Sequence, residues 1–164
     1  MLNKNCFFHY SLQQEAFSIA KQYDLLQSKC IHSGAIVTFS GLVRDMAKSD
    51  NHIVNCIELS IYQSMVEKQI QHIGKMIFNS FDIDGLNIVH RYGKLKPTEN
   101  IVYVGVASKH RNEAFSAAQM AMDHLKSDVA FWKKEHYEND SESKWIEPRK
   151  SDFQALAKWQ KTVK

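Results

Sequence analysis

The chain contains no run of about 18 apolar residues, so no helix is expected to span a bilayer. The N-terminal stretch MLNKNCFFHYSLQQEAF has too short an apolar run for a secretory signal, which makes the cytoplasm the expected setting. Cysteine is scarce: Cys6, Cys30 and Cys56 are odd in number and no two are spaced C-x-x-C. That excludes a disulfide framework and a zinc-thiolate motif, and leaves each thiol as a small core hydrophobe. Only two prolines and six glycines are present, too few for extended linkers. The eight histidines stand singly, with no H-x-x-x-H pair, so neither a metal site nor a bound cofactor is expected.

What is present suits a globular core. The 164 residues are 44% hydrophobic and 24% charged, which fits one domain over 1–164. The net charge of +3 is unevenly placed. Residues 1–89 carry 7 basic and 8 acidic side chains, whereas 90–164 carry 14 and 10. An electropositive second half fits an anionic small molecule or an acidic partner. It is too mild a stripe for nucleic acid, and no pattern of stacking aromatics accompanies it.

Phe7 to Tyr10 reads as a short strand, followed by a helix that Ser11 caps and that runs to about Ser28. Ala35–Val43, AIVTFSGLV, is a β-branched strand ending at Arg44, and DMAKSDNH after it is a polar loop. Val54–Tyr62 is a second such strand. Ser64 and Glu67 have capping-box spacing for a helix to about Phe81 that buries Met65, Ile70, Ile73 and Ile77. Leu86–Tyr92 and Ile101–Ala107 are further strands, with turn chemistry over 94–100 between them. A long helix then follows, capped by Ser108, with Phe115, Ala118, Met122 and Leu125 inward. Ala130–Glu135 suggests a short strand, 136–143 a polar loop and Lys144–Glu147 an edge strand. A last helix, capped at Ser151 or Asp152, carries Phe153, Leu156, Ala157 and Trp159. The expected class is α+β, with mixed α/β passages and additional short antiparallel strands.

Cations mark both ends of the long helix. His110-Arg111 stands where a strand hands over to a helix N-terminus, a place with free amides that favours phosphate or carboxylate. Lys126, Lys133 and Lys134 lie at the other end, with Phe131-Trp132 among them; individually each also fits a solvated surface. Crowded cations lower one another's pKa, which makes a lysine usable as an acid or base. Arg44, at a strand end before a polar loop, is a further clamp candidate, and Arg149 beside Pro148 a weaker one. His110 and Lys126 are sixteen residues apart, roughly 24 Å along a continuous helix. One small ligand cannot touch both ends in one subunit. Either there are two anion sites, or one site is assembled from two subunits of a homodimer.

Four segments resemble the large, catalytic subunit of molybdopterin synthase: GAIVTFSGLVR at 34–44, HRYGKLKPTENIVYVGVASKHRNEAF at 90–115, MDHLKSDVAFWKKE at 122–135 and WIEPR at 145–149. The resemblance spans about 34–159 and implies that family's α/β hammerhead-like fold. It also implies sulfur transfer from the thiocarboxylated C-terminal glycine of a small ubiquitin-like subunit to cyclic pyranopterin monophosphate, forming the dithiolene of molybdopterin. A homodimer flanked by two small subunits, a heterotetramer, is implied as well. Carried over by motif, Lys126 and Lys133 are the expected catalytic lysines. Arg44, His110, Arg111 and Arg149 would grip the substrate, Phe39 and Met122 line the pocket, and Glu135 orient a neighbouring cation. Leu42 stands where some members have lysine, and Lys134 replaces a common arginine, losing any bidentate grip. A competing reading is a non-catalytic anion-binding or partner-docking module using the same basic pocket. A cysteine-based sulfurtransferase is a third, but no cysteine lies in the basic half.

Overall fold

The structure is a computed structural model that describes residues 6–44, 47–49, 52–137, 143–146 and 156–159. Two sheets carry it. The first has the order β1-β5-β7-β2, from strands β1 (Phe7–Gln13), β2 (Ala35–Leu42), β5 (Gly85–Arg91) and β7 (Asn100–Ser108). β1 pairs with β5 in parallel, and the other pairings are antiparallel. The second, five-stranded sheet runs β3-β4-β8-β9, from β3 (Ala47–Ser49), β4 (His52–Ser60), β8 (Trp132–Tyr137) and β9 (Ser143–Ile146), and the short β6 (Gly93–Leu95) also pairs with β4. Three helices complete the fold: α1 (Ile19–Lys29), α2 (Gln63–Ser80) and α3 (Arg111–Ser127). The class is α+β with extra short antiparallel strands, as the sequence predicts. Among the described residues no helix is long and apolar enough to cross a membrane.

Strand alternation sorts the core into two layers. Leu86 and Ile88 of β5, with Val102, Val104 and Val106 of β7, pack against Ile70, Ile73 and Ile77 of α2 and Ala114, Ala118 and Leu125 of α3. The intervening positions face α1, where Leu26 and Cys30 meet Ala107. Asn87 is fully buried on that side but is not orphaned. Its amide donates to the Gln22 side chain at 3.0 Å, and its oxygen lies 3.0 Å from His9 Nδ1. Gly105 sits among these contacts. A Cβ there would lie 2.6 Å from the Tyr103 hydroxyl and 3.0 Å from Leu26 Cδ2, so only glycine lets α1 close on β7.

Several helix starts differ from the sequence reading. β1 runs past Ser11 to Gln13 because it follows β5 in register as far as Arg91, so α1 starts later. Its cap is Ser18, whose hydroxyl accepts from the Lys21 amide. The Ser64–Glu67 box does not form: Tyr62 is the N-cap of α2 without a side-chain bond, and Gln63 donates to Glu67 instead. The cap thus lies two positions earlier than expected, and Val66 rather than Met65 shares the buried face of Ile70, Ile73 and Ile77. Ser108 likewise does not cap α3 directly; His110 holds that position, while Ser108 Oγ accepts from the His110 amide and donates to the Asp82 carbonyl. Phe115, expected inward, is exposed. Strand β3 lies within the expected polar loop, β6 overlaps the start of the expected turn, and β8 extends through His136 to Tyr137. Ser151, Asp152 and Phe153 fall outside the described residues.

β5 is buried throughout, including its polar end. Arg91 is satisfied by the carbonyls of Gln14 at 3.0 Å and Asn100 at 3.2 Å, and by Glu99 at 3.4 Å. His90 directs Nδ1 to the Arg91 carbonyl at 2.8 Å. A carbonyl only accepts, so Nδ1 carries the hydrogen. The ring stacks on Phe131, with centroids 3.9 Å apart and planes 16° apart. Burial lowers the His90 pKa from its ordinary 6.5 to about 4, against a smaller opposing effect of the carbonyl bond.

Gly105→Ala is expected to lower unfolding free energy by about 1–3 kcal/mol, measured by urea denaturation, because a buried ring and a helix must both yield. His90 makes stability depend on pH. The unfolded imidazole binds a proton at higher pH than the folded one, so the neutral ring's contribution is fully present above the unfolded pKa of 6.5 and is lost as pH falls towards 4. Between about pH 7 and about pH 5 the wild type should lose about 2 kcal/mol more than His90→Phe. Parallel pH profiles for the two proteins in urea would contradict this.

Candidate active site

The ends of both sheets meet the C-terminal end of α3 at one cleft of about 900 Å³. Its floor is apolar and aromatic, from Ile101, Val102, His90 and Phe131. Three cations with their attachments on different elements stand around it: Arg44 just after β2, Lys126 in the last turn of α3, and Lys133 on β8. Met122 lines it from one turn earlier on α3. The segment from Ser127 to Trp132, which links α3 to β8, forms a continuous wall.

Each position follows from local structure. Val43 is buried, and its amide donates to the Glu99 carbonyl, which fixes the chain as it leaves β2 and leaves Arg44 exposed at the rim. Lys126 is one of the basic residues in the last turn of α3, where the helix dipole favours a cation. On β8 the alternation puts Lys133 and Glu135 on the inner face, opposite Leu59 and Ile57. Lys134 and His136 take the other face. Lys134 lies over the Trp145 ring at 5.6 Å, and His136 pairs with Glu58 at 2.7 Å. The second basic group read from the sequence is therefore split, with Lys126 and Lys133 in the cleft and Lys134 outside it.

Glu135 is almost completely buried, a costly place for a carboxylate unless a cation is near. Lys133 Nζ lies 3.7 Å from Glu135 Oε1, and the Tyr137 hydroxyl donates to Oε2 at 3.4 Å. Oε1 makes an ion pair but no hydrogen bond among the described residues. Lys133 is thus tethered from below by Glu135 and still partly open to the cleft.

The remaining sequence candidates lie elsewhere. His110 and Arg111 are exposed at the opposite end of α3 and do not line this cleft. Phe39 is exposed on β2, an edge strand of its sheet. Arg149 lies outside the described residues. His90 and Phe131, which form part of the floor, were not singled out from the sequence as site residues. The local signal at His90 was a polar His-Arg pair closing the strand segment LNIV. None of the three thiols lines the cleft. Burial and Asp84 push Cys30 up to about 11, and burial followed by Asp84 and Asp82 raises Cys6, so both stay protonated thiols.

Comparison with known proteins gives the family of the chain. The model of the MoaE protein family matches residues 12–128. A molybdopterin synthase catalytic subunit from Vibrio cholerae is 41% identical over 150 residues, covering 92% of this chain and 97% of that protein. Among solved structures, the molybdopterin biosynthesis MoaE protein from Burkholderia ambifaria superposes with a TM-score of 0.80 at 31% identity, covering 94% of this chain and 99% of that one. A protein–protein complex of subunits 1 and 2 of the molybdopterin-converting factor from Helicobacter pylori shares the fold, with a TM-score of 0.63 at 19% identity over 86% of this chain and 90% of that one. The chain belongs to the MoaE protein family, that of the molybdopterin synthase catalytic subunits.

Proposed function

We propose that the cleft is the sulfur-transfer site of a molybdopterin synthase reaction, in which this chain acts as the catalytic subunit and converts cyclic pyranopterin monophosphate to molybdopterin. The observation that carries this is the convergence of Arg44, Lys126 and Lys133 on one cleft with an apolar and aromatic floor. A flat heterocycle fits such a floor, and a phosphate fits the cations around it. The sulfur donor is the thiocarboxylated C-terminal glycine of a small ubiquitin-like subunit, whose extended tail reaches into the cleft. The thiocarboxylate sulfur bonds to a substrate carbon, displacing an oxygen substituent. Water then adds to the carbonyl of that acyl–sulfur adduct, so that negative charge grows on the carbonyl oxygen before the carbon–sulfur bond breaks, leaving sulfur on the substrate and a carboxylate on the glycine. Ammonium groups fixed beside that oxygen lower the energy of its charge more than water does. Glu135 orients Lys133 for this role, and Met122 lines the entry.

His110 and Arg111 belong in this reading to the same reaction but to another cleft. They lie roughly 24 Å along α3 from Lys126, too far to reach the same small substrate. In a homodimer each cleft receives the His110-Arg111 pair of the second copy, and a small subunit docks at each cleft to give a heterotetramer. Phe39 and Arg149 are assigned to substrate binding on their motifs alone.

Lys126→Ala is expected to lower turnover by about 100-fold or more while the affinity for the small subunit, measured by calorimetry, changes little. Wild-type turnover in that variant would contradict the assignment. A wild type that binds the thiocarboxylated subunit but makes no product would instead favour a docking module.

A further inference from the structure

The two lysines of the cleft are joined by a short connection that includes Asp128 to Phe131, which is fixed at several points along its length. Asp128 is held by the helix end, its amide donating to the His124 carbonyl at 2.8 Å and its carboxylate 2.6 Å from His124 Nδ1. The Ala130 amide donates across to Gln69 Oε1 of α2 at 3.2 Å. Val129 enters the core. Phe131 is the last residue before β8 and lies two positions before Lys133. Its ring rests on His90 at 3.9 Å, nearly parallel.

His90 is in turn fixed from the scaffold. Its Nδ1–H is committed to the Arg91 carbonyl, and Arg91 is tied to the chain after β1 through Gln14, to the start of β7 through Asn100, and to Glu99. An unbroken series of contacts therefore runs from the first sheet through Arg91 and His90 to Phe131 and the lysine-bearing connection. The ring is also uncharged at working pH, because burial disfavours its imidazolium, so it brings no further positive charge into a cleft already lined by three cations.

We propose that His90 is a positioning residue for the transfer reaction, its locked ring being the shelf on which Phe131 sets the separation of Lys126 and Lys133. This rests on the reading of those lysines as the reaction's cations. The shelf acts through aromatic stacking, and His90 Nε2 takes no part in the chemistry. Misplacement of a catalytic group by about 1 Å can cost on the order of 100-fold in rate, so the shelf has ample leverage.

The test uses the complex reconstituted with the thiocarboxylated small subunit and cyclic pyranopterin monophosphate, and reads kcat and KM separately at a temperature where every variant is folded. His90→Ala should lower kcat by about 10- to 100-fold with KM within a few-fold. His90→Phe, which keeps the shelf, should restore kcat to within a few-fold of wild type, a rescue that general loss of stability would not give. Phe131→Ala should reproduce the His90→Ala defect, and the double variant should be no worse than either single one, since both remove one contact. If His90→Ala is poorly folded, Phe131→Ala alone decides, because its ring is only partly buried. Wild-type kcat in Phe131→Ala, additive defects, or His90→Phe as impaired as His90→Ala would each overturn the proposal. Those outcomes with Lys126→Ala still inactive leave the lysine reading standing, whereas an active Lys126→Ala removes both.

Discussion

The rise of an α-helix is the constraint on which the account of this site depends. α3 is a continuous helix from Arg111 to Ser127, and each residue adds about 1.5 Å. Its buried alanines, Ala114, Ala117, Ala118 and Ala121, let it lie close along the first sheet. A helix packed in that way cannot bend its two ends towards each other. The cations at its N-terminus and those at its C-terminus are therefore held apart by the same packing that stabilises the fold. One reaction can use both only if two copies of α3 contribute opposite ends.

Within one subunit the second sheet completes the site. β8 carries Lys133 inward over Glu135, and β4 supports it through Leu59 and Ile57. Where the two sheets meet, the exits of β2 and β5 and the start of β7 converge on the connection between α3 and β8. Glu135 is buried at this junction beside Lys133, so stability and placement of the cation are coupled: removing either partner leaves the other worse solvated. Charge sits where core and cleft meet, and there small shifts in packing alter the separation of reacting groups.

Much of this was legible in the sequence, for physical reasons that differ by element. β2 and β7 were readable because their β-branched runs suit strands, and α3 because its apolar positions recur at helical spacing. Arg44 stood out as a cation at a strand end before a polar loop, where ligands are commonly met. Lys126 and Lys133 stood out through the crowding of cations and the motif that carries them. The start of α1 was not readable, since pairing of Ser11–Gln13 with Val89–Arg91 decides it and local cap chemistry does not. The Ser64–Glu67 box did not form, since Tyr62 holds the N-cap two positions earlier, and Val66 rather than Met65 shares the buried face of Ile70, Ile73 and Ile77. Lys134 could not be told from Lys133 without the strand's facing. The His90–Phe131 stack joins residues from separate elements and leaves no periodic trace. Arg149 remains a motif-based assignment, since it lies outside the described residues.

The most direct measurement of the shared site mixes two inactive chains. If clefts are shared in a homodimer, Arg111→Ala and Lys126→Ala each damage every cleft of their own dimer, but a purified hybrid of the two holds one cleft with both defects and one with neither. The account predicts that hybrids, assembled with the thiocarboxylated small subunit, recover about half of the wild-type rate per dimer, one intact cleft of two. Hybrids that stay as inactive as their parents would contradict it.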